Sequence, residues 1–133
     1  MSLSENLICR LLRVIQCAKA AVTLGAHLYL LGGMYDPCSV PSCRGQLQIY
    51  EPASDTWAVG PALPWDAEGS VSAAIVDGTI LACGGLFDPA RNREGSNPTD
   101  CFAYDPANSR WTRRASMLQG VDHAACAALE RTM

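Results

Sequence analysis

The sequence has little of the chemistry that builds catalytic or metal sites. Its 133 residues include two histidines, His27 and His123, and neither lies in an HExxH motif or at a metal-ligand spacing. The patterns GxSxG, GxGxxG and GxxxxGK[ST] do not occur either. We therefore predict no catalytic residues, no bound metal and no cofactor.

Basic residues are also scarce. Ten Lys and Arg face thirteen Asp and Glu, for a formal net charge of -3. The one basic cluster, at Arg110, Arg113 and Arg114, lies close in sequence to Asp100 and Asp105. Phosphate binding needs a clustered basic surface, so we predict a solvated strand face here and no nucleic-acid partner.

The first 17 residues contain no run long enough to span a bilayer, and Arg10 and Arg13 interrupt their apolar positions. Glu5 precedes the apolar residues, which is unlike a secretory signal. The apolar residues recur at helical spacing, and Ser2 with Glu5 matches a capping box, so we predict a short amphipathic helix over residues 1–17. Both interpretations of this helix, a surface helix and a targeting or partner-binding helix, fit the pattern. No membrane partner is predicted.

Seven cysteines occur without the paired CxxC spacing of zinc sites. Cys38 and Cys43 could ligate metal or form a local disulfide, but a single pair makes a weak metal site. Cys83, Cys101 and Cys126 fall in predicted strands, where a reduced thiol acts as a small apolar side chain. Together with an Asn97-Pro98-Thr99 triplet that cannot be glycosylated, they favour a cytoplasmic, reducing location.

What the chain does contain is an internal repeat. LYLLGG at residues 28–33 returns as ILACGG at residues 80–85, an offset of 52. IYEPASDTW at residues 49–57 returns as AYDPANSRW at residues 103–111, an offset of 54. A fixed period near 50 residues is the signature of a repeat architecture.

Each unit predicts two apolar strands around a tight turn, followed by two more. The first strands are expected near residues 20–24 and 71–76, the second near 28–31 and 79–83, and the third near 46–50 and 100–104. Fourth strands open at Trp57 and Trp111. Asp77-Gly78 is a strong signal for a type I′ hairpin, and Gly25-Ala26 is the matching turn.

The Gly pairs are interpreted as a turn or close-approach element, and the aromatic residues as packing between neighbouring units. Sixteen residues separate Gly33 from Tyr50, and eighteen separate Gly85 from Tyr104. Both stretches begin with loop-forming residues, and long loops on one face of a rigid scaffold usually carry the binding surface. The repeated motif residues are Gly32, Gly33, Tyr50, Trp57, Gly84, Gly85, Tyr104 and Trp111.

An apolar strand ending in Gly-Gly, then Tyr, six residues and Trp, resembles the kelch motif. The resemblance covers most of the chain and implies an all-β fold. We expect a partial kelch-type β-propeller with two four-stranded antiparallel blades, an incomplete third, and the N-terminal helix. The expected divisions are 1–17 for the helical extension, 18–65 and 66–118 for the two repeats, and 119–133 for the start of a third.

The kelch resemblance also implies a function. Kelch propellers are mostly non-enzymatic protein-interaction modules, often parts of ubiquitin-ligase substrate adaptors or scaffolds. We therefore expect a protein partner bound through the two long loops, at Tyr35, Asp36, Arg44, Phe87, Arg91 and Arg93. Self-association through open blade edges is a further expectation. The alternatives are a fragment of a kelch-propeller enzyme, similar to a copper oxidase or a sugar isomerase, or a truncated chain without independent activity.

Overall fold

The computed structural model describes residues 20–32, 45–64, 71–85, 98–121 and 124–129. This part of the chain is all-β, with eight strands and no helix. The predicted N-terminal helix at residues 1–17 lies outside it. Within these ranges, no helix is long and apolar enough to cross a membrane.

The strands form two four-stranded antiparallel sheets, each in simple sequence order. The first sheet contains β1 (Ala20–Leu24), β2 (His27–Leu31), β3 (Leu47–Glu51) and β4 (Thr56–Val59). The second sheet contains β5 (Ser72–Val76), β6 (Thr79–Cys83), β7 (Cys101–Asp105) and β8 (Arg110–Arg114). The two sheets therefore repeat one another strand for strand.

The observed strands lie within one residue of most predicted bounds. β3 and β7 each lie one residue further along the chain than expected. The reason is that Glu51 pairs with Thr56 and Asp105 with Arg110, so each ladder continues to the residue before the proline. β3 and β7 therefore end at Glu51 and Asp105, directly before the prolines, and not at Tyr50 and Tyr104 as predicted.

The hairpin turns follow the chemistry of their residues. Asp77 and Gly78 have φ of 48° and 70°, and positive φ at both central positions is the requirement of a type I′ turn. At the matching turn Gly25 has φ of 61°, whereas Ala26 does not have a positive φ. Positive φ at the first central position alone is the type II′ requirement, so only the Asp-Gly turn is type I′.

The core lies between the two sheets. It contains buried residues of both sheets and of the chain between them. The first sheet contributes Tyr29, Leu31 and Leu47, and the second contributes Ala73, Ile80, Ala82 and Tyr104. Leu63 and Val71 lie outside the strands. Leu31, Leu47, Ile80 and Ala82 are fully buried. Because each strand alternates its side chains, the packed face of each sheet leaves an opposite face turned away from this core.

Two expectations about cysteine were wrong. Cys83 and Cys101 form a disulfide instead of remaining reduced thiols. They lie directly opposite one another on β6 and β7, and opposed side chains of an antiparallel pair are close enough to bond. Cys126 is an exposed free cysteine and lies outside any strand, because residues 124–129 form no ladder with the described strands.

Candidate partner-binding surface

The six residues predicted to contact a partner lie outside the described part of the chain. They are Tyr35, Asp36, Arg44, Phe87, Arg91 and Arg93, and Gly33 of the repeat motif lies outside it as well. What the structure describes is the base of each long connection and the framework that holds it.

Each connection begins and ends at a backbone hydrogen bond. The N–H of Gly32 donates to the carbonyl of Gln46 at 3.1 Å, and the N–H of Gly84 donates to the carbonyl of Asp100 at 3.0 Å. These bonds stand at equivalent positions in the two sheets. The two long connections therefore start and finish at equivalent ends of the two central strands of their sheets.

A second repeated bond supports each base. After the last strand of each sheet, the N–H of Leu63 donates to the carbonyl of Gly45 at 2.8 Å, and the N–H of Met117 donates to that of Thr99 at 2.9 Å. The chain that follows β4 or β8 thus bonds to the residues just before β3 or β7. The last residues of the two long connections, Gly45 and Thr99, are therefore held by equivalent hydrogen bonds.

The glycine pair of the second sheet touches a later part of the chain. The N–H of Gly85 donates to the carbonyl of Val121 at 3.2 Å. Gly84 has φ of 71°, and a Cβ added there would lie 2.6 Å from the same carbonyl. A side chain at Gly84 would therefore displace the backbone near Val121, which explains the need for glycine.

The aromatic motif residues form the same cross-strand pair in each sheet. The Tyr50 and Trp57 rings lie 4.8 Å apart between centroids, and the Tyr104 and Trp111 rings lie 5.2 Å apart. Tyr50 and Tyr104 are buried. Their hydroxyl and ring contacts thus lie within the framework and not on an exposed stacking surface.

The two tryptophans differ in their surroundings. The indole N–H of Trp111 donates to the carbonyl of Pro61 at 3.0 Å, which ties the second sheet to the chain just beyond β4. Trp57 occupies the equivalent position in the first sheet, and 37% of its surface is exposed. One tryptophan therefore packs between the sheets, while the other faces outward.

A cleft that the sequence did not reveal lies where the hairpin turns of the two sheets meet. Its walls include Leu24, His27, Tyr29, Ile49, Tyr104, Asp105 and Ser109. Nε2 of His27 lies 2.7 Å from a carboxylate oxygen of Glu51. Burial and the nearby Tyr104 hydroxyl raise the pKa of Tyr29. The cleft thus combines apolar walls with the polar side chains of His27, Asp105 and Ser109.

Asp105 at the rim of this cleft is held by its own turn. Its carboxylate accepts hydrogen bonds from the Asn108 side chain and from the N–H of Ala107, and these lower the pKa of Asp105. The ionised carboxylate of Asp105 therefore stabilises the turn between β7 and β8. This is the turn-forming role expected of Asp before proline.

A second groove opens on the face of the second sheet that points away from the first. It is lined by Val76, Asp77, Thr79, Leu81, Cys101, Ala103, Arg114 and Ala115. The sequence repeat alone could not identify it, because both faces of each sheet were expected to be covered. Across the described ranges, no group of three or more His, Cys, Asp and Glu side chains could hold a metal ion.

Comparison with known proteins identifies the repeat. A family model described as the Kelch motif matches residues 69–118. The chain is 31% identical over 101 residues to Kelch repeat and BTB domain-containing protein 12 of Danio rerio, covering 70% of this chain and 16% of that protein. The Homo sapiens protein of the same name is 28% identical over 100 residues, covering 69% and 16%. Kelch-like protein terF of Aspergillus terreus is 31% identical over 110 residues, covering 80% and 24%.

The chain thus spans less than a quarter of the length of these relatives. The matched residues 69–118 contain all four strands of the second sheet, with the Gly, Tyr and Trp residues of the repeat. The first sheet carries the same strand order and the same Tyr–Trp pair. The repeat therefore belongs to the kelch family, and the chain is similar to kelch-repeat proteins over most of its length.

Proposed function

We propose that the chain is a non-enzymatic protein-interaction module that binds a protein partner through its two long connections. The observation that carries this proposal is the matched pair of closed bases, Gly32 to Gln46 and Gly84 to Asp100. A rigid scaffold that presents long loops from one edge is a common arrangement for recognition. The contact residues under this proposal are Tyr35, Asp36, Arg44, Phe87, Arg91 and Arg93.

The proposal includes the kind of larger protein in which this module would act. Two relatives carry a BTB domain by name, which favours a role in a ubiquitin-ligase substrate adaptor or a scaffold. The module would then be the part that recruits the partner, in a cytoplasmic location, where the Cys83–Cys101 disulfide would be open to reduction. No observation on the described residues favours the alternative of a kelch-propeller enzyme.

The architecture is proposed to be a partial propeller. Residues 18–65 and 66–118 would form two blades, and residues 119–133 would begin a third. The contact of Val121 with Gly85 and the hydrogen bond from Ser72 Oγ to the carbonyl of Ala124, at 2.8 Å, support this placement. Self-association through the edges of the outermost strands, β4 and β8, belongs to the same proposal.

Replacing each long connection tests the binding role. Residues 34–44 and 87–97 are exchanged, one at a time, for Gly-Ser segments of equal length, and captured proteins are compared by quantitative mass spectrometry. We expect a specific partner to be lost by at least tenfold with one or both exchanges. Point variants Arg44→Ala and Arg91→Ala with Arg93→Ala then narrow the contact.

The matched control is Leu118→Ser, which removes an exposed apolar side chain outside both connections. Circular dichroism and the melting temperature verify that each variant keeps its fold. Undiminished capture of the same partner after both exchanges would contradict the proposal. Loss of the partner in the control would show that capture depends on surface hydrophobicity and would also count against it.

A further inference from the structure

The segment that follows β8 completes a short motif that the proposed function does not use. Arg113, Arg114, Ala115 and Ser116 are consecutive, and this is the only place in the sequence where two arginines are adjacent. At the equivalent positions of the first repeat, residues 59–62 contain neither arginine nor serine. The repeated fold therefore does not require these residues.

The serine of this motif lies at the surface. Ser116 is exposed and belongs to no strand. Its equivalent in the first repeat, Ala62, is also exposed, although the second sheet packs on the first. The following residues, Leu63 and Met117, make equivalent backbone hydrogen bonds, so the two segments follow the same course. Packing of a further repeat on the second sheet would therefore leave Ser116 accessible.

Both arginines lie at the end of an edge strand. β8 is the outermost strand of its sheet, and Arg113 and Arg114 are exposed. Arg113 forms an ion pair with Asp100, but 66% of the Arg113 side chain is exposed. Exposed ion pairs are weak, so another carboxylate can replace Asp100 at little cost. The chain thus presents two guanidinium groups on extended backbone just before Ser116.

Arginines three and two residues before a serine form the charge pattern that basophilic protein kinases select. Kinases distinguish their substrates by such patterns, because carboxylates of the kinase pair with guanidinium groups of the substrate. Within the fold, Arg113 pairs with Asp100 and lies 6.0 Å from the Phe102 ring. These contacts account for Arg113 but not for Arg114 or Ser116.

We propose that Ser116 is phosphorylated by a protein kinase whose acidic substrate-binding surface pairs with Arg113 and Arg114. ATP is the phosphoryl donor. Oγ of Ser116 bonds to the γ-phosphorus while the bond from that phosphorus to the bridging oxygen breaks, and ADP leaves. The hydroxyl proton passes to the catalytic aspartate of the kinase. The products are phosphoserine and ADP.

The phosphate would add a charge of about -1.5 to -2 at pH 7. It would lie beside the end of the second long connection, because the N–H of Met117, the residue after Ser116, donates to the carbonyl of Thr99. The basic end of β8 would then become nearly neutral. The modification requires neither long connection, so it stands independently of partner capture.

Phosphorylation of the purified full chain tests the proposal. The chain is incubated with ATP, Mg²⁺ and the catalytic subunit of a cyclic-AMP-dependent protein kinase, which serves as the basophilic probe. Intact mass counts the phosphates added, and tandem mass spectrometry locates them. We expect one phosphate at Ser116. A peptide of residues 110–120 gives the rate outside the fold, and the folded chain should react within tenfold of that rate.

Four variants separate the serine from the arginines. Ser116→Ala should lose the phosphate, and Arg113→Gln with Arg114→Gln should lower the initial rate at least tenfold. Arg110→Gln removes an exposed arginine outside the motif and is the matched control, with a rate changed by less than twofold. Ala62→Ser places a hydroxyl at the equivalent exposed position without arginines, and we expect no phosphate there. Circular dichroism verifies the fold of each variant.

Several results would overturn the proposal. Phosphorylation of the peptide but not of the folded chain would show that Ser116 is inaccessible. An unchanged rate after replacement of both arginines would show that they are not recognised. Ser96 follows Arg93 by three residues, and a phosphate there in place of Ser116 would also contradict the assignment. In cells treated with a phosphatase inhibitor, the chain should carry phosphate at Ser116, and its absence would overturn Ser116 as a cellular site.

Discussion

Trp111 and Pro61 join the two sheets by one hydrogen bond, from the indole N–H to the proline carbonyl, at 3.0 Å. The two residues are 50 positions apart in sequence. The bond therefore reports the packing of one repeat on the other and not the fold of either alone. This makes the Trp111 position the most direct probe of the contact between the sheets.

Replacing Trp111 by Phe should lower the free energy of unfolding by about 1 to 2 kcal/mol, because the Pro61 carbonyl loses its donor and the smaller ring leaves space. Urea unfolding followed by circular dichroism measures this loss. Trp57→Phe is the matched control and should have a smaller effect, since Trp57 is more exposed. Equal losses for the two variants would contradict the assigned role of Trp111.

Gly84→Ala should destabilise the chain more than Gly25→Ala. Both glycines have positive φ, which costs an alanine roughly 1 to 2 kcal/mol. At Gly25 an added Cβ meets nothing within 4 Å, whereas at Gly84 it would lie 2.6 Å from the Val121 carbonyl. Melting temperatures of the two variants test the difference, and an equal shift would show that the Val121 contact contributes nothing.

Ile80→Ala should cost about 2 to 5 kcal/mol, the range for a large aliphatic side chain removed from a packed core. Ile80 is fully buried between the sheets. Val59→Ala on the exposed strand β4 serves as the control and should change stability by less than about 0.5 kcal/mol. Denaturant titration distinguishes the two, and a small loss at Ile80 would contradict the described core.

The Cys83–Cys101 disulfide should appear as one linked peptide pair in a non-reducing digest. Its sequence separation of 18 predicts a stabilisation of about 3 kcal/mol from the constraint on the unfolded chain. A Cys83→Ser and Cys101→Ser double variant should lose most of this when compared under oxidising conditions. The comparison under reducing conditions is the control, and there the two chains should differ little.

Asp105 should contribute to the pH dependence of stability. Its pKa is lower in the folded chain, so its contribution is present above the unfolded value of about 4 and is lost as pH falls through the folded pKa. The difference in stability between the unaltered chain and Asp105→Ala should therefore shrink below about pH 4. A difference that is constant from pH 3 to pH 7 would contradict the hydrogen-bonded turn.

The strands and turns were accessible from the sequence because they depend on local chemistry. Asp77-Gly78 carries its own requirement for positive φ, and the structure has it. The pairing of Cys83 with Cys101 was not accessible, because it depends on which residues of β6 and β7 stand opposite each other across a long connection. The groove beside Ala115 was not accessible for a related reason, since its walls combine residues of β5, β6 and β7 with Arg114 and Ala115.

The two repeats differ in length by two residues, and the hydrogen bonds at the two bases show where the extra residues lie. Gly32 and Gly84 are 52 positions apart, whereas their acceptors Gln46 and Asp100 are 54 apart. The added length therefore lies wholly within the connection, and the ladders on either side keep the same register. This two-residue difference in length leaves the pairing of β2 with β3 and of β6 with β7 equivalent. The two sheets therefore accept connections of different length without any change in how their strands pair.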